Sequence, residues 1–258
     1  MATLAFDLDG TIYIDKRISP ENAAAINRWR AAGNRAIIST GRSIAAIRAA
    51  WADSGIEVDG AVAFTGGAVT DAAFRPRWST LLDQGLFAEV HELLRDEPVR
   101  SYVTDLDGDW LVVDNVIDTS ALHIPSIPVR VADVVGKQVV GLPTYVPDDA
   151  DRARLEPLLR ELIAGRADLA PNLSFLDIVP LGASKGSGVR RFMELEPLDG
   201  DVLYTIGDSW NDIPMHVVAD HATGFSYSPP EVLDVVDRVV DHLHELVDAL
   251  LEVGVGSD

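Results

Sequence analysis

The feature that most constrains this chain is an alternation. Short apolar runs, each stopped by glycine and polar residues, are separated by helical stretches. The first run is Ala2-Thr3-Leu4-Ala5-Phe6, and it ends at Asp7-Leu8-Asp9-Gly10-Thr11. Ser19-Pro20-Glu21 then opens a helix: serine is the N-cap, and proline sits in the first turn, where its missing N–H is not needed. That helix extends to Ala32 and is closed by Gly33. A second strand, Arg35 to Thr40, is closed by Gly41-Arg42 and followed by a helix over Ser43–Ser54. A third strand, Ala61 to Phe64, ends in Thr65-Gly66-Gly67. Strands joined through helices run parallel, so the expected fold class is α/β with a doubly wound, Rossmann-like parallel sheet.

The rhythm changes between Leu82 and Gly182. Arg100–Thr104 and Trp110–Val113 flank an Asp-Gly turn, which is a hairpin signal. Two further strands, Val139–Val146 and Leu173–Val179, bracket a helix over Asp149–Ile163. The α/β pattern resumes at Lys185 with a helix over Gly186–Glu194, then a strand over Asp201–Ile206 ending in Gly207-Asp208. The expectation is a core of residues 1–81 plus 183–258, interrupted by an α+β cap domain of residues 82–182. A tail helix carries Leu243, Leu246, Val247 and Leu250 on one face.

Composition narrows the function. With 41 acidic against 21 basic side chains the net charge is -20, which repels nucleic acid and anionic membranes. No apolar run is long enough for a membrane span. The start, Met1 to Asp9, has no early Lys or Arg, so it does not read as a signal peptide, and the expected location is cytoplasmic. There are no cysteines, which removes thiol nucleophiles and zinc-thiolate sites.

In open parallel sheets, ligands bind beyond the carboxyl ends of the strands, so the polar clusters there are the candidate site. Asp7 can attack phosphorus as a carboxylate nucleophile. Asp9, two residues on, can act as general acid and then base. Gly10 permits a sharp turn, and with Thr11 it can approach a phosphate. Thr40 offers a hydroxyl, Gly41 a helix N-terminus and Arg42 a cation for a substrate anion. Lys185, in a Gly/Ser-rich loop, can neutralise a transferring phosphoryl group. In Gly207-Asp208-Ser209-Trp210-Asn211-Asp212, Asp208 joins Asp7 as a Mg²⁺ ligand, with the Asp9 carbonyl as a third. Asp212 and Asn211 are expected to complete the metal and substrate surroundings by orienting waters and Lys185. Asp105-Leu106-Asp107-Gly108-Asp109 repeats nearly the same letters but lies between hairpin strands and reads as a turn.

Taken in order, these signatures resemble the haloacid dehalogenase superfamily. Asp7 to Thr11 matches its first signature, Thr40 its second, Lys185 its third, and Gly207 to Asp212 its fourth. The wide gap between Thr40 and Lys185 is similar to the branch with a type-two cap, and Thr40-Gly41-Arg42 to its Cof-type sugar phosphatases. The resemblance implies a Mg²⁺-dependent phosphatase acting on a small phosphorylated metabolite, with Asp7 as nucleophile, Asp9 as acid/base, Thr40 and Lys185 as phosphoryl clamps and Asp208 on the metal. Two stretches depart from the Cof pattern: Thr65-Gly66-Gly67, where Asn-Gly is usual, and Ser226-Tyr227-Ser228-Pro229-Pro230, where an Asn-Ala pair is usual. Cap contacts are sought at Arg100, Tyr102, His123, Lys137 and Tyr145. A phosphomutase or phosphotransferase would use the same acids with a sugar as acceptor. A phospho-receiver signalling module shares the acid, hydroxyl and lysine, but is about half as long and lacks an acid two residues past its aspartate.

Overall fold

The computed structural model describes residues 1–255 apart from 53, 120, 121, 123, 125, 173 and 199. The chain divides into two compact units. One comprises Met1–Gly41, Ala50–Trp78 and Ser184–Asp258, and the other Arg42–Ala49 and Ser79–Ala183.

The first unit is built on an eight-stranded sheet, counted among the described residues. Its order is Arg238–Val240, His221–Phe225, Val202–Ile206, Ala2–Phe6, Arg35–Ser39, Gly60–Ala63, Ala68–Asp71 and Pro76–Ser79. The first six run parallel, and Ala68–Asp71 turns back antiparallel on Gly60–Ala63. From the central strand Ala2–Phe6 the chain first winds outward through Arg35–Ser39 and Gly60–Ala63. It later returns to the other flank at Val202–Ile206 and winds the opposite way. The reversal of winding opens a crevice at the carboxyl end of Ala2–Phe6, where a ligand can enter.

Alternate residues explain why this sheet is covered twice. Ala5, Ile37, Val62 and Leu203 pack with Val189 and Phe192 of helix Lys185–Leu195 and with Met215. Their neighbours in sequence point the other way: Phe6 stacks on Trp51 at 6.3 Å, and Tyr204 meets Trp29 edge-on at 6.0 Å. Trp29 belongs to helix Pro20–Ala31, capped by Ser19, whose hydroxyl accepts the Asn22 N–H at 3.1 Å. The tail helix Leu243–Glu252 packs beside it and buries Leu243, Leu246, Val247 and Leu250.

The sequence reading missed the hairpin Ala68–Asp71/Pro76–Ser79. The chain reaches it through a tight turn in which Phe64 and Thr65 take φ of 53° and 51°. Non-glycine residues rarely adopt that conformation, so composition gives no warning of it.

The second unit has a six-stranded sheet among the described residues, in the order Ser126–Pro128, Asp109–Asp114, Arg100–Thr104, Leu142–Tyr145, Phe175–Pro180, Ala167–Asn172. All neighbours are antiparallel except Ser126–Pro128 and Asp109–Asp114. Helices Leu86–Leu94 and Asp149–Ile163 supply Leu86, Val90, Leu94, Leu155, Leu159 and Ile163 to one core with Val103, Val113, Leu142, Leu176 and Ile178 of the sheet. Asp148 caps the second helix, accepting the N–H groups of Ala150 and Asp151. No helix among the described residues is long and apolar enough to cross a membrane.

Candidate active site

Three strand ends converge. Phe6 lies in register with Ile206 on one side and Ile38 on the other. The next residues, Asp7, Gly207-Asp208 and Ser39-Thr40, are therefore neighbours although they are far apart in sequence. The ladder continues one step further: Asp7 N–H donates to the Ile206 carbonyl at 3.1 Å, and Thr40 N–H to the Val62 carbonyl at 2.9 Å. Two glycines make this convergence possible. A Cβ on Gly10, which has φ +85°, would fall 2.5 Å from an Asp208 carboxylate oxygen, and one on Gly207 would fall 2.4 Å from Asp212 Cγ. Both sites require the carboxylate to rest directly on the backbone.

Lys185 enters from the first turn of its helix and is 0% exposed. Its Nζ is 2.7 Å from Asp7 Oδ1 and 2.6 Å from Asp212 Oδ1. Asp212 is itself held from below, its Oδ2 accepting the N–H groups of Asp208 and Ser209 at 3.0 Å each. Thr11 donates its hydroxyl to Asp208 Oδ1 at 2.7 Å.

Burial raises the Asp7 pKa well above its ordinary value. Lys185 opposes the rise, while Asp212 and Asp208 add to it. Burial likewise lifts Asp208 to about 6, against the Thr11 hydrogen bond. For Lys185, burial alone would depress the pKa. The Asp212 and Asp7 carboxylates outweigh it and hold the ammonium charged above its ordinary value.

Asp7, Asp208 and Asp212 each present an oxygen within 4.8 Å of the others. Oxygens ~2.1 Å from a magnesium ion in octahedral geometry stand roughly 3.0–4.2 Å apart, so this spacing suits a small hard cation. Charge supports the fit: three carboxylates face one ammonium, and a divalent ion would balance the remainder. These residues could therefore hold a metal ion.

The other expected site residues fall as follows. Asp9 is exposed on the turn after Asp7, and Thr40 is buried at its strand end. Thr11, expected against substrate, is 2% exposed and its hydroxyl is committed to Asp208, so it fixes a carboxylate instead. Asn211, expected to help orient Lys185, leaves that task to Asp212, and its own Oδ1 is buried without a donor among the described residues. Gly41 ends one stretch of the first unit, and Arg42 begins the stretch grouped with the second.

Among the residues sought as cap contacts, Tyr102 and Tyr145 are buried, the latter tilted against Phe175 at 5.3 Å. Arg100 pairs with Asp114, and Lys137 pairs with Asp105 at 2.8 Å while lying 4.0 Å over the Trp110 ring. His123 lies outside the described residues. Asp105 is a turn residue, its Oδ1 accepting the N–H groups of Asp107 and Gly108.

One contact had no counterpart in the sequence reading. Tyr227 donates its phenol to the Gly10 carbonyl at 2.6 Å, across 217 residues of chain. In the sequence Tyr227 stands between serines in the Ser226–Pro230 stretch, just after a sheet strand, with nothing that points to Gly10.

A sequence profile of the haloacid dehalogenase-like hydrolases matches residues 4–253. Among curated proteins, the chain is 26% identical over 253 residues to the 5-amino-6-(5-phospho-D-ribitylamino)uracil phosphatase YwtE of Bacillus subtilis (strain 168), covering 86% of each. Among solved structures it is similar to the HAD subclass IIB sugar phosphatase BT4131, with a TM-score of 0.80 at 19% identity over 99% of this chain and 100% of that one. It is also similar to the phosphatase BT1666 from Bacteroides thetaiotaomicron, with a TM-score of 0.77 at 22% identity over 99% of this chain and 96% of that one. At these identities the structural likeness speaks to the fold.

Proposed function

Since the chain belongs to the haloacid dehalogenase-like hydrolases, we propose that it is a Mg²⁺-dependent phosphatase that hydrolyses a small phosphomonoester of the sugar-phosphate kind through an aspartyl phosphate on Asp7. The observation that carries this reading is the grip of Lys185 on Asp7. The ammonium takes Oδ1 at 2.7 Å, which leaves Oδ2 as the attacking oxygen.

The residues then divide the work. Asp7 Oδ2 forms the new P–O bond as the ester P–O bond breaks, and Asp9 gives its proton to the departing alcohol oxygen. A water then attacks phosphorus, loses its proton to Asp9 and frees Asp7 with inorganic phosphate. Lys185 keeps Asp7 oriented through both displacements, and with the Thr40 hydroxyl it faces the equatorial oxygens, so catalysis rests mainly on positioning and electrostatics. Asp7, Asp208 and Asp212 would hold Mg²⁺, which when bound supplies positive charge to the phosphate. Thr11 keeps Asp208 in place for that role.

The test is a panel of phosphomonoesters assayed for phosphate release with Mg²⁺, including sugar phosphates and 5-amino-6-(5-phospho-D-ribitylamino)uracil, the ester named for the Bacillus relative. Wild type should release phosphate from at least one ester and Asp7→Asn from none. Activity that survives Asp7→Asn would overturn the reading.

A further inference from the structure

We infer that Tyr227 is a positioning residue for the reaction proposed above, on which this inference rests: its phenol locks the turn that aims Asp9. Asp9 is exposed on its turn. That turn sets where its backbone stands, and the next residue is glycine, the most permissive of all.

That turn is held at two points. On one side the N–H groups of Thr11, Ile12 and Tyr13 all converge on the Leu8 carbonyl, at 3.3, 3.0 and 2.7 Å. On the other, the Gly10 carbonyl accepts from Tyr227 at 2.6 Å. The peptide that bears this carbonyl joins Gly10 to Thr11, so it lies between Asp9 and the hydroxyl that fixes Asp208. Thr11 is buried and pinned to Asp208, so a rotation of that peptide is taken up at Gly10 and moves Asp9.

Tyr227 is built to hold still although the residue is 54% exposed. The ring stacks on the fully buried Phe225, with centroids 5.0 Å apart and planes at 18°. The loop beneath is closed by Phe225 N–H on Ser228 Oγ at 3.1 Å and by Ser226 N–H on the Val240 carbonyl at 3.1 Å. A side chain that only covered surface would need none of this.

The experiment uses Tyr227→Phe in the full chain, which keeps the ring and removes the donor. kcat/KM, which reads the steps up to release of the alcohol, is measured for an alkyl phosphate ester and for p-nitrophenyl phosphate. The alkyl oxygen needs the Asp9 proton, and nitrophenolate leaves without it. Loss of one hydrogen bond predicts about a 5- to 10-fold fall for the alkyl ester, with little change for the nitrophenyl ester. In an Asp9→Ala background, Tyr227→Phe should cost nothing further. Equal falls for both esters, no fall for either, the same cost with and without Asp9, or a Tyr227→Phe chain that does not fold would each overturn the inference. Wild-type chain that hydrolyses neither ester would bring down the phosphatase reading and this inference together. Equal activity of wild type and variant would bring down the tether alone.

Discussion

Replacing Lys185 with methionine removes the one ammonium that Asp7 and Asp212 share and leaves a side chain of similar length in a fully enclosed place. Two effects follow, and the structure sizes both. For catalysis, Lys185 makes two charged contacts at 2.6 and 2.7 Å. A preorganised donor aimed at developing charge is worth about 10²–10³ in rate, and misaiming the nucleophile adds to that, so kcat should fall at least ~10³-fold. For stability, breaking a buried ion pair by removing one partner costs roughly 3–5 kcal/mol. Protonation of a stranded carboxyl returns part of this, leaving a loss of about 3 kcal/mol near neutral pH. At roughly 2–4 °C per kcal/mol for a domain of this size, Tm should drop by about 6–12 °C. The sign with pH is fixed by the raised lysine pKa. Its stabilisation is fully present below the unfolded value of about 10.4 and is lost only as pH rises through the higher folded value. The assays are phosphate release and calorimetric melting at neutral pH. A Lys185→Met chain that keeps a tenth of wild-type kcat, or melts no earlier than wild type, would refute this reasoning.

Metal-free chain should become more stable as pH falls from about 6 toward 4. Folding raises the Asp208 pKa to about 6 and raises that of Asp7 too, so the folded state takes up protons that the unfolded state does not. Adding Mg²⁺ should flatten that slope in a melting series, and an unchanged slope would argue against the three carboxylates as its ligands. Gly10→Ala should abolish activity and lower Tm by a few degrees, because its Cβ would strike Asp208 in a backbone conformation that disfavours any side chain. Full activity in that variant would show that the turn can relax without moving Asp208.

Some of this architecture was written plainly in the sequence, for reasons that can be named. Ser19-Pro20 starts its helix as capping chemistry demands, and the helix Asp149–Ile163 begins and ends where its acidic start and apolar spacing place it. The candidate site was legible because its members sit at strand ends, and a parallel sheet brings strand ends together whatever their separation in sequence. Other parts could not be read. The strand Ala167–Asn172 contains Pro171 and small or polar residues, which only an edge position tolerates, and it is the edge of its sheet. A hydroxyl beside a nucleophile can face substrate or a neighbouring carboxylate, and the fold gives that of Thr11 to Asp208. Asn211 and Asp212 are adjacent letters with similar shapes. Which of them takes Lys185 depends on which is anchored by backbone N–H groups, and that is Asp212. The contact of Tyr227 with Gly10 spans 217 residues, and nothing local in the Ser226–Pro230 stretch names that partner.

The account turns on where phosphorus is held covalently between the two displacements. Turnover quenched with borohydride should reduce an acyl phosphate and convert Asp7 to homoserine in the N-terminal peptide, read by mass, with no conversion when substrate is left out. Phosphate released with Asp7 unmodified, or conversion found at Asp9 or Asp208 instead, would contradict it.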